Sequence, residues 1–298
     1  MLGENEGLQK EWTTASGKKR RSVKAAYEAT IRELSAIDSY EKGFVAVTQG
    51  RYSEAVEDFD GAITSNPKDA GAYYYRGLAH AGLRRHYQAR QDFGQAIELN
   101  PHYVAAYAGR GFAFFQLGQH DQAIADFNRT IEINPQLAGA YNSRAIVNAN
   151  RGKFDAALSD YDRAIALSPR YTAAYINRGL AAYNLGRYER ALSDFDRVIE
   201  VDPKITAAYV YRGLSQYNLG RFDQAIREYD RALELDPKLV MAYYHRARIY
   251  SLRDQPERAL QDLRRAIQLN PDLKAVAKKE NDFERIRQHP EFVNLTGT

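Results

Sequence analysis

The chain has 298 residues, 44% hydrophobic and 27% charged, with 42 Lys+Arg against 38 Asp+Glu and no cysteine. This composition is enough for a buried core and excludes a chain disordered throughout. Without cysteine there are no disulfides, no thiol catalysis and no cysteine-ligated zinc or iron–sulfur centre, and a formal charge of +4 is too mild to imply nucleic acid.

Residues 1–21 are polar and are expected to be a mobile N-terminal segment. They lack the basic start and apolar stretch of a signal peptide, and no run of 18 apolar residues follows, so a cytoplasmic chain without membrane insertion is expected. Residues 22–35 predict a capping helix, with Ser22 as N-cap, that covers the apolar end of the array behind it. The run Lys18 to Arg21 beside this helix opens an alternative, a basic-flank adaptor for nucleic acid or a membrane surface, but four charges make a short patch.

From residue 36 the chain repeats. Seven of its nine prolines, Pro67, Pro101, Pro135, Pro169, Pro203, Pro237 and Pro271, stand 34 residues apart, each preceded by Asn, Asp or Ser. Seven units result: 36–69, 70–103, 104–137, 138–171, 172–205, 206–239 and 240–273. Recurrence within one molecule aligns them. Ala55 begins an alanine column that runs to Ala259, and twelve residues upstream of each alanine lies Gly or Ala, from Gly43 to Ala247. Tyr73, Tyr107, Tyr141, Tyr175, Tyr209 and Tyr243 recur on the first predicted helix; Phe59, Phe93, Phe127, Tyr161, Phe195, Tyr229 and Leu263 recur on the second. Gly118, Gly152, Gly186 and Gly220 mark the turn between helices. After Pro271, residues 274–298 predict one more helix, charged on one side and apolar through Val276, Phe283 and Ile286, followed by a tail.

This pattern of aromatic, small residue, alanine, aromatic and proline resembles the tetratricopeptide repeat (TPR) over residues 36–273. The resemblance implies an all-α fold, a right-handed superhelical α-solenoid of tandem helix–turn–helix repeats with flanking capping helices. It also implies a protein-binding scaffold whose first helices line a concave groove. The departures are Arg or Lys at the usual leucine place, a weak first unit, and Asp254 with Pro256 at the last turn.

The departing column is Lys42, Arg76, Arg110, Arg144, Arg178, Arg212 and Arg246, and a carboxylate column matches it: Asp58, Asp92, Asp126, Asp160, Asp194, Glu228 and Asp262. A guanidinium in a partly buried seam needs its donors satisfied, which predicts repeated internal ion pairs. The alternative is an outward row of arginines that binds an acidic partner.

By the family's geometry, the groove residues are those of the first helices left over after packing: Phe112, Phe115, Gln116, Asn142, Ile146, Asn150, Ile176, Leu180, Tyr183, Asn184, Val210, Leu214, Tyr217, Asn218, Tyr244 and Arg248. They form an apolar and aromatic strip with amides from Gln116 to Asn218, suited to the backbone and side chains of a protein or peptide partner. The alternative is that Ile146, Leu180 and Leu214 are buried between neighbouring helices. Catalysis is not expected. The six histidines are dispersed, with His86 and His120 read as substitutes for aromatic residues, and no phosphate loop, metal-ligand set or cofactor motif occurs. Self-association through Phe292, Val293 and Leu295 of the tail, giving a homo-oligomer, is a further reading.

Overall fold

The computed structural model describes residues 17–297, with side chains from residue 21. Most of the expected mobile segment, residues 1–16, lies outside the described residues; residues 17–21 already belong to the first helix. In chain order the elements are α1 (Gly17–Thr48), α2 (Tyr52–Ser65), α3 (Ala70–Gly82), α4 (His86–Leu99), α5 (Val104–Gln116), α6 (His120–Ile133), α7 (Ala138–Asn150), α8 (Phe154–Leu167), α9 (Thr172–Asn184), α10 (Tyr188–Val201), α11 (Thr206–Asn218), α12 (Phe222–Leu235), α13 (Val240–Leu252), α14 (Pro256–Leu269), α15 (Leu273–Lys279), a 3-10 helix (Asn281–Ile286) and α16 (Pro290–Thr296). Two compact units, divided after Val147, contain them.

The sequence columns make each helix pair. Between pairs, the Asn or Asp before proline forms an Asx turn. Asn100 Oδ1 accepts from His102 N at 3.1 Å, Asn134 from Gln136 N at 3.0 Å and Asp202 from Lys204 N at 2.9 Å. The tyrosine column closes the same turn, because Tyr107, Tyr141, Tyr175, Tyr209 and Tyr243 each donate to the carbonyl of the proline six residues earlier, at 3.2–3.4 Å. Within pairs, the small residue makes room for a ring. A methyl group at Gly179 would meet Phe195 at 2.9 Å, and one at Gly213 would meet Tyr229 at 2.6 Å. The alanines from Ala55 to Ala259 and the rings of Phe59, Phe93, Phe195 and Tyr229 are almost fully buried.

Both ends differ from expectation. Residues 22–35 do not form a separate cap. They run into the first unit as part of a single 32-residue helix, so Ser22 lies inside it and caps nothing. Between Ser22 and Gly43 no proline or glycine interrupts the run, and nothing in the sequence stops a helix there. At the other end, one continuous helix was expected but the chain breaks at Glu280, whose backbone turns extended (φ −74°, ψ 121°), and again at His289. Folding back packs Phe283, Ile286 and Phe292 against Tyr244, Leu260, Leu263 and Ile267 of the last repeat. A straight helix would leave those side chains in water.

Candidate functional site

The arginine column is internal. Arg178 donates through Nε and Nη2 to Asp194 at 3.0 and 2.5 Å, and through Nη1 to Asp162 on the preceding unit at 2.7 Å. Its side chain is 17% exposed and that of Asp194 1%. Arg76 bridges Asp60 and Asp92, both at 2.6 Å; Arg212 bridges Asp196 and Glu228, at 2.7 and 2.6 Å; Arg246 bridges Asp230 and Asp262. Arg144 donates to Asn128 at 2.6 Å. Each guanidinium also lies 5.4–5.7 Å from the ring of the tyrosine three residues before it. Burial holds the Asp194 and Asp262 carboxyls above their ordinary range even with an arginine opposite. Two corrections follow. Lys42 does not reach Asp58 but pairs along its own helix with Asp38 at 2.6 Å. The column of Asp60, Asp162, Asp196 and Asp230, sixteen residues before each arginine, had not been singled out, though the period exposes it.

In the first unit, the first-helix face carries large apolar side chains in the open. Phe112 is 47% exposed and Phe44, in the same column two repeats earlier, 41%. Half-buried Leu78 stands between them in sequence register, and Phe115 is half-buried beside His120, with ring centroids 5.7 Å apart. Gln116 is exposed and Ile146 half-buried. Phe44 is hard to place from the sequence because the first repeat has Ser39 in place of the aromatic of its column and so aligns weakly. Asn142 is 5% exposed and cannot line an open face.

In the second unit, Ile176, Leu180, Tyr183 and Leu214 are half-buried, and Asn150, Asn184 and Asn218 are exposed. The amide of Asn218 is not idle: it donates to Leu214 O at 2.8 Å and to the Tyr183 hydroxyl at 3.2 Å. Val210 and Tyr244, expected to line the groove, are buried at 7% and 4%: Val210 packs with Tyr209 and Leu233, and Tyr244 meets Phe283 edge-on at 5.7 Å. The C-terminal segment also claims the remaining two residues. Asp282 Oδ2 accepts from Arg248 Nε at 2.8 Å and from the Tyr217 hydroxyl, while Glu280 lies 3.4 Å from the same guanidinium. Burial, then the hydrogen bond to Asp282, pushes the Tyr217 hydroxyl up to about 12. Arg248 is therefore neutralised within the chain.

No cluster of three or more His, Asp or Glu suited to a metal ion occurs among the described residues, and none of their helices is long and apolar enough to cross a membrane. Stacked helix pairs of 34-residue period, locked by rings over glycines, define an α-helical repeat protein of the solenoid class. Family models described as tetratricopeptide repeat match residues 40–93, 104–137, 144–212, 206–239 and 240–273, and the chain belongs to that family. A comparison with curated proteins finds no match.

Among solved structures, the chain resembles the TPR protein YrrB, described as having an unusual peptide-binding site (24% identity, TM-score 0.55, covering 64% of this chain and 98% of that one). It also resembles a tetratricopeptide repeat protein from Parabacteroides merdae (18%, 0.61, covering 88% and 99%). A third likeness is to the C-terminal part of a TPR repeat-containing protein from Cytophaga hutchinsonii (19%, 0.66, covering 78% and 95%). At these identities the likeness is one of fold.

Proposed function

We propose that this protein is a non-enzymatic scaffold that works without a cofactor, holding a peptide segment of a partner protein against its first-helix face. One observation carries the reading: Phe44 and Phe112 are 41% and 47% exposed in a single column of the first unit, while the second helices bury their aromatic column. Apolar area held in water on one face is the signature of a surface that acquires a partner. Supporting it, exposed Gln116 follows Phe115 on the helix that carries Phe112 and offers both a donor and an acceptor to an extended backbone, as exposed Asn184 does on its own helix in the second unit. The peptide-binding site described for YrrB is consistent with such use of this fold. In the second unit the C-terminal segment already covers Tyr217, Tyr244 and Arg248, which leaves Leu180, Tyr183 and Asn184 as the contact residues there.

The test is selection of binders to the full chain from a random peptide display library, followed by calorimetry on the selected peptides. Binding is expected to weaken by at least about tenfold in Phe112→Glu/Phe115→Glu or in Leu180→Glu/Tyr183→Glu, with circular dichroism unchanged. Selected peptides that bind every variant as tightly as the parent would place recognition elsewhere.

A further inference from the structure

In the last repeat, the crevice between α12, α13 and α14 reverses the charge that its counterparts carry. It is a cavity of about 620 Å³ in which four arginines, Arg246, Arg258, Arg264 and Arg265, face two carboxylates, Asp230 and Asp262. The repeat period supplies the controls. At the equivalent positions the fifth repeat sets Arg178, Arg190 and Arg197 against Asp162, Asp194, Asp196 and Glu200, and the sixth sets Arg212 and Arg231 against Asp196, Glu228, Asp230 and Glu234. Lost pairings account for the reversal. Arg129, Arg197 and Arg231 each meet a glutamate three residues on, at 2.6–3.1 Å, whereas Arg265, in the same column, is followed there by Gln268. Arg190 reaches Asp162 of the preceding repeat at 2.5 Å, whereas Arg258, in its column, lies 4.2 Å from the centroid of the Tyr250 ring and donates to Gln255 at 3.3 Å. The two carboxylates that remain both hold Arg246. Arg258 and Arg265 are exposed, and among the described residues no carboxylate pairs with either.

What this face accepts is visible at its edge. Glu291 of α16 pairs with Arg264, so a carboxylate delivered by a segment outside the repeats already seats against α14. Along α14, Arg258, Gln261, Arg265 and Gln268 succeed one another at intervals of three or four residues and so share one side of the helix. A guanidinium fork matches a carboxylate with two parallel hydrogen bonds, and each glutamine adds a donor and an acceptor for the peptide groups between. We propose that the crevice is a docking site for an acidic segment of a partner protein, whose carboxylates pair with Arg258 and Arg265, seven residues or about 10 Å apart along the helix. The site selects its partner by charge rather than by apolar area. It is separate from the first-helix face and stands independently of the function assigned to that face.

The probe is a fluorescein-labelled deca-glutamate peptide, titrated with the full chain at low ionic strength and followed by fluorescence anisotropy. It is expected to bind, with a complex that weakens steeply as salt is added, and deca-glutamine is expected not to bind. Arg258→Gln/Arg265→Gln is expected to weaken binding by at least about tenfold with circular dichroism unchanged. Gln268→Glu, which truncates nothing and gives Arg265 the partner its column has in other repeats, is expected to weaken it by about threefold or more. Arg197→Gln/Arg231→Gln, which removes two arginines of the same column that already have partners, is expected to leave it unchanged. A wild-type chain that does not bind the peptide, or a peptide that binds Arg258→Gln/Arg265→Gln as tightly as wild type, overturns the assignment. Equal losses in Arg197→Gln/Arg231→Gln reduce the effect to overall charge and overturn it as well. Inorganic pyrophosphate that binds Arg258 and Arg265 more tightly than the peptide does would assign the crevice to phosphate groups, again overturning it.

Discussion

Arg178 shows how a side chain that violates a hydrophobic pattern can still be structural. Its guanidinium is held by two carboxylates from two successive repeats and lies over Tyr175, and one of those carboxylates is 1% exposed. Arg178→Ala strands that buried charge and is expected to cost about 3 kcal/mol in denaturant unfolding. Burial keeps Asp194 above its ordinary range, so the pair itself contributes little net stability. The double variant Arg178→Leu/Asp194→Asn, which restores the family's usual leucine, is expected to recover more than half of the loss. Additive losses in that cycle would show that the two residues do not act as a pair.

The pairing was legible because seven copies in one chain align themselves. The second carboxylate column was harder to see. It lies on the adjacent repeat and is broken by Gly94, Asn128 and Arg264. The groove residues were legible only as a face, since helical spacing cannot tell an open position from one covered by a neighbouring helix, as Val210 is, or by a distant segment, as Tyr244 is.

At the level of elements, the intra-repeat turn needs a residue in the left-handed region. Gly50, Gly118, Gly152, Gly186 and Gly220 meet it with φ of 72–73°, while Arg84 and Asp254 occupy the same place at φ 57°. A side chain there costs roughly 1 kcal/mol, so Arg84→Gly is expected to raise the melting temperature by a few degrees, despite the added freedom of the unfolded chain. The converse change, Gly186→Ala, is expected to lower it by a similar amount. First helices begin at residues 70, 104, 138, 172, 206 and 240, in step with the period, and the first of the array departs from it. The period required a break near residue 36, but the local sequence supplies no cap or breaker there, and the helix ran through.

At the scale of the whole molecule, the last repeat is finished by chain that follows it, and this makes it acid-sensitive. His245 is stacked on Tyr229, 6.0 Å between centroids, where earlier repeats stack Tyr75 on Phe59 and Tyr211 on Phe195. Burial, then the Arg248 charge, lowers it to about 3. A histidine kept neutral in the folded state binds its proton only on unfolding, so stability is fully present above about pH 6.5 and is lost as pH falls towards 3, by on the order of 4 kcal/mol over the window. His245→Tyr, which copies Tyr75 and Tyr211 of the same column, is expected to flatten that part of the pH profile while leaving stability at pH 8 within about 1 kcal/mol. An unchanged acid limb in urea titrations would assign the sensitivity to other groups.

The bridging arginines tie each repeat to the one before it, and in one place the tie is missing. Where Asp60, Asp162, Asp196 and Asp230 stand, the third repeat's arginine meets Gly94, whose open Cβ position lies 3.9 Å from Arg110 Nη1. In a linear array each joint carries its own share of cooperativity, so a missing tie is a fault line: heat or mechanical tension should part the second repeat from the third before it parts repeats joined by a full bridge. Amide exchange is expected to run faster across residues 94–110 than across 196–212. Gly94→Asp, which adds the carboxylate and removes a glycine from the middle of a helix, should bring the two rates together.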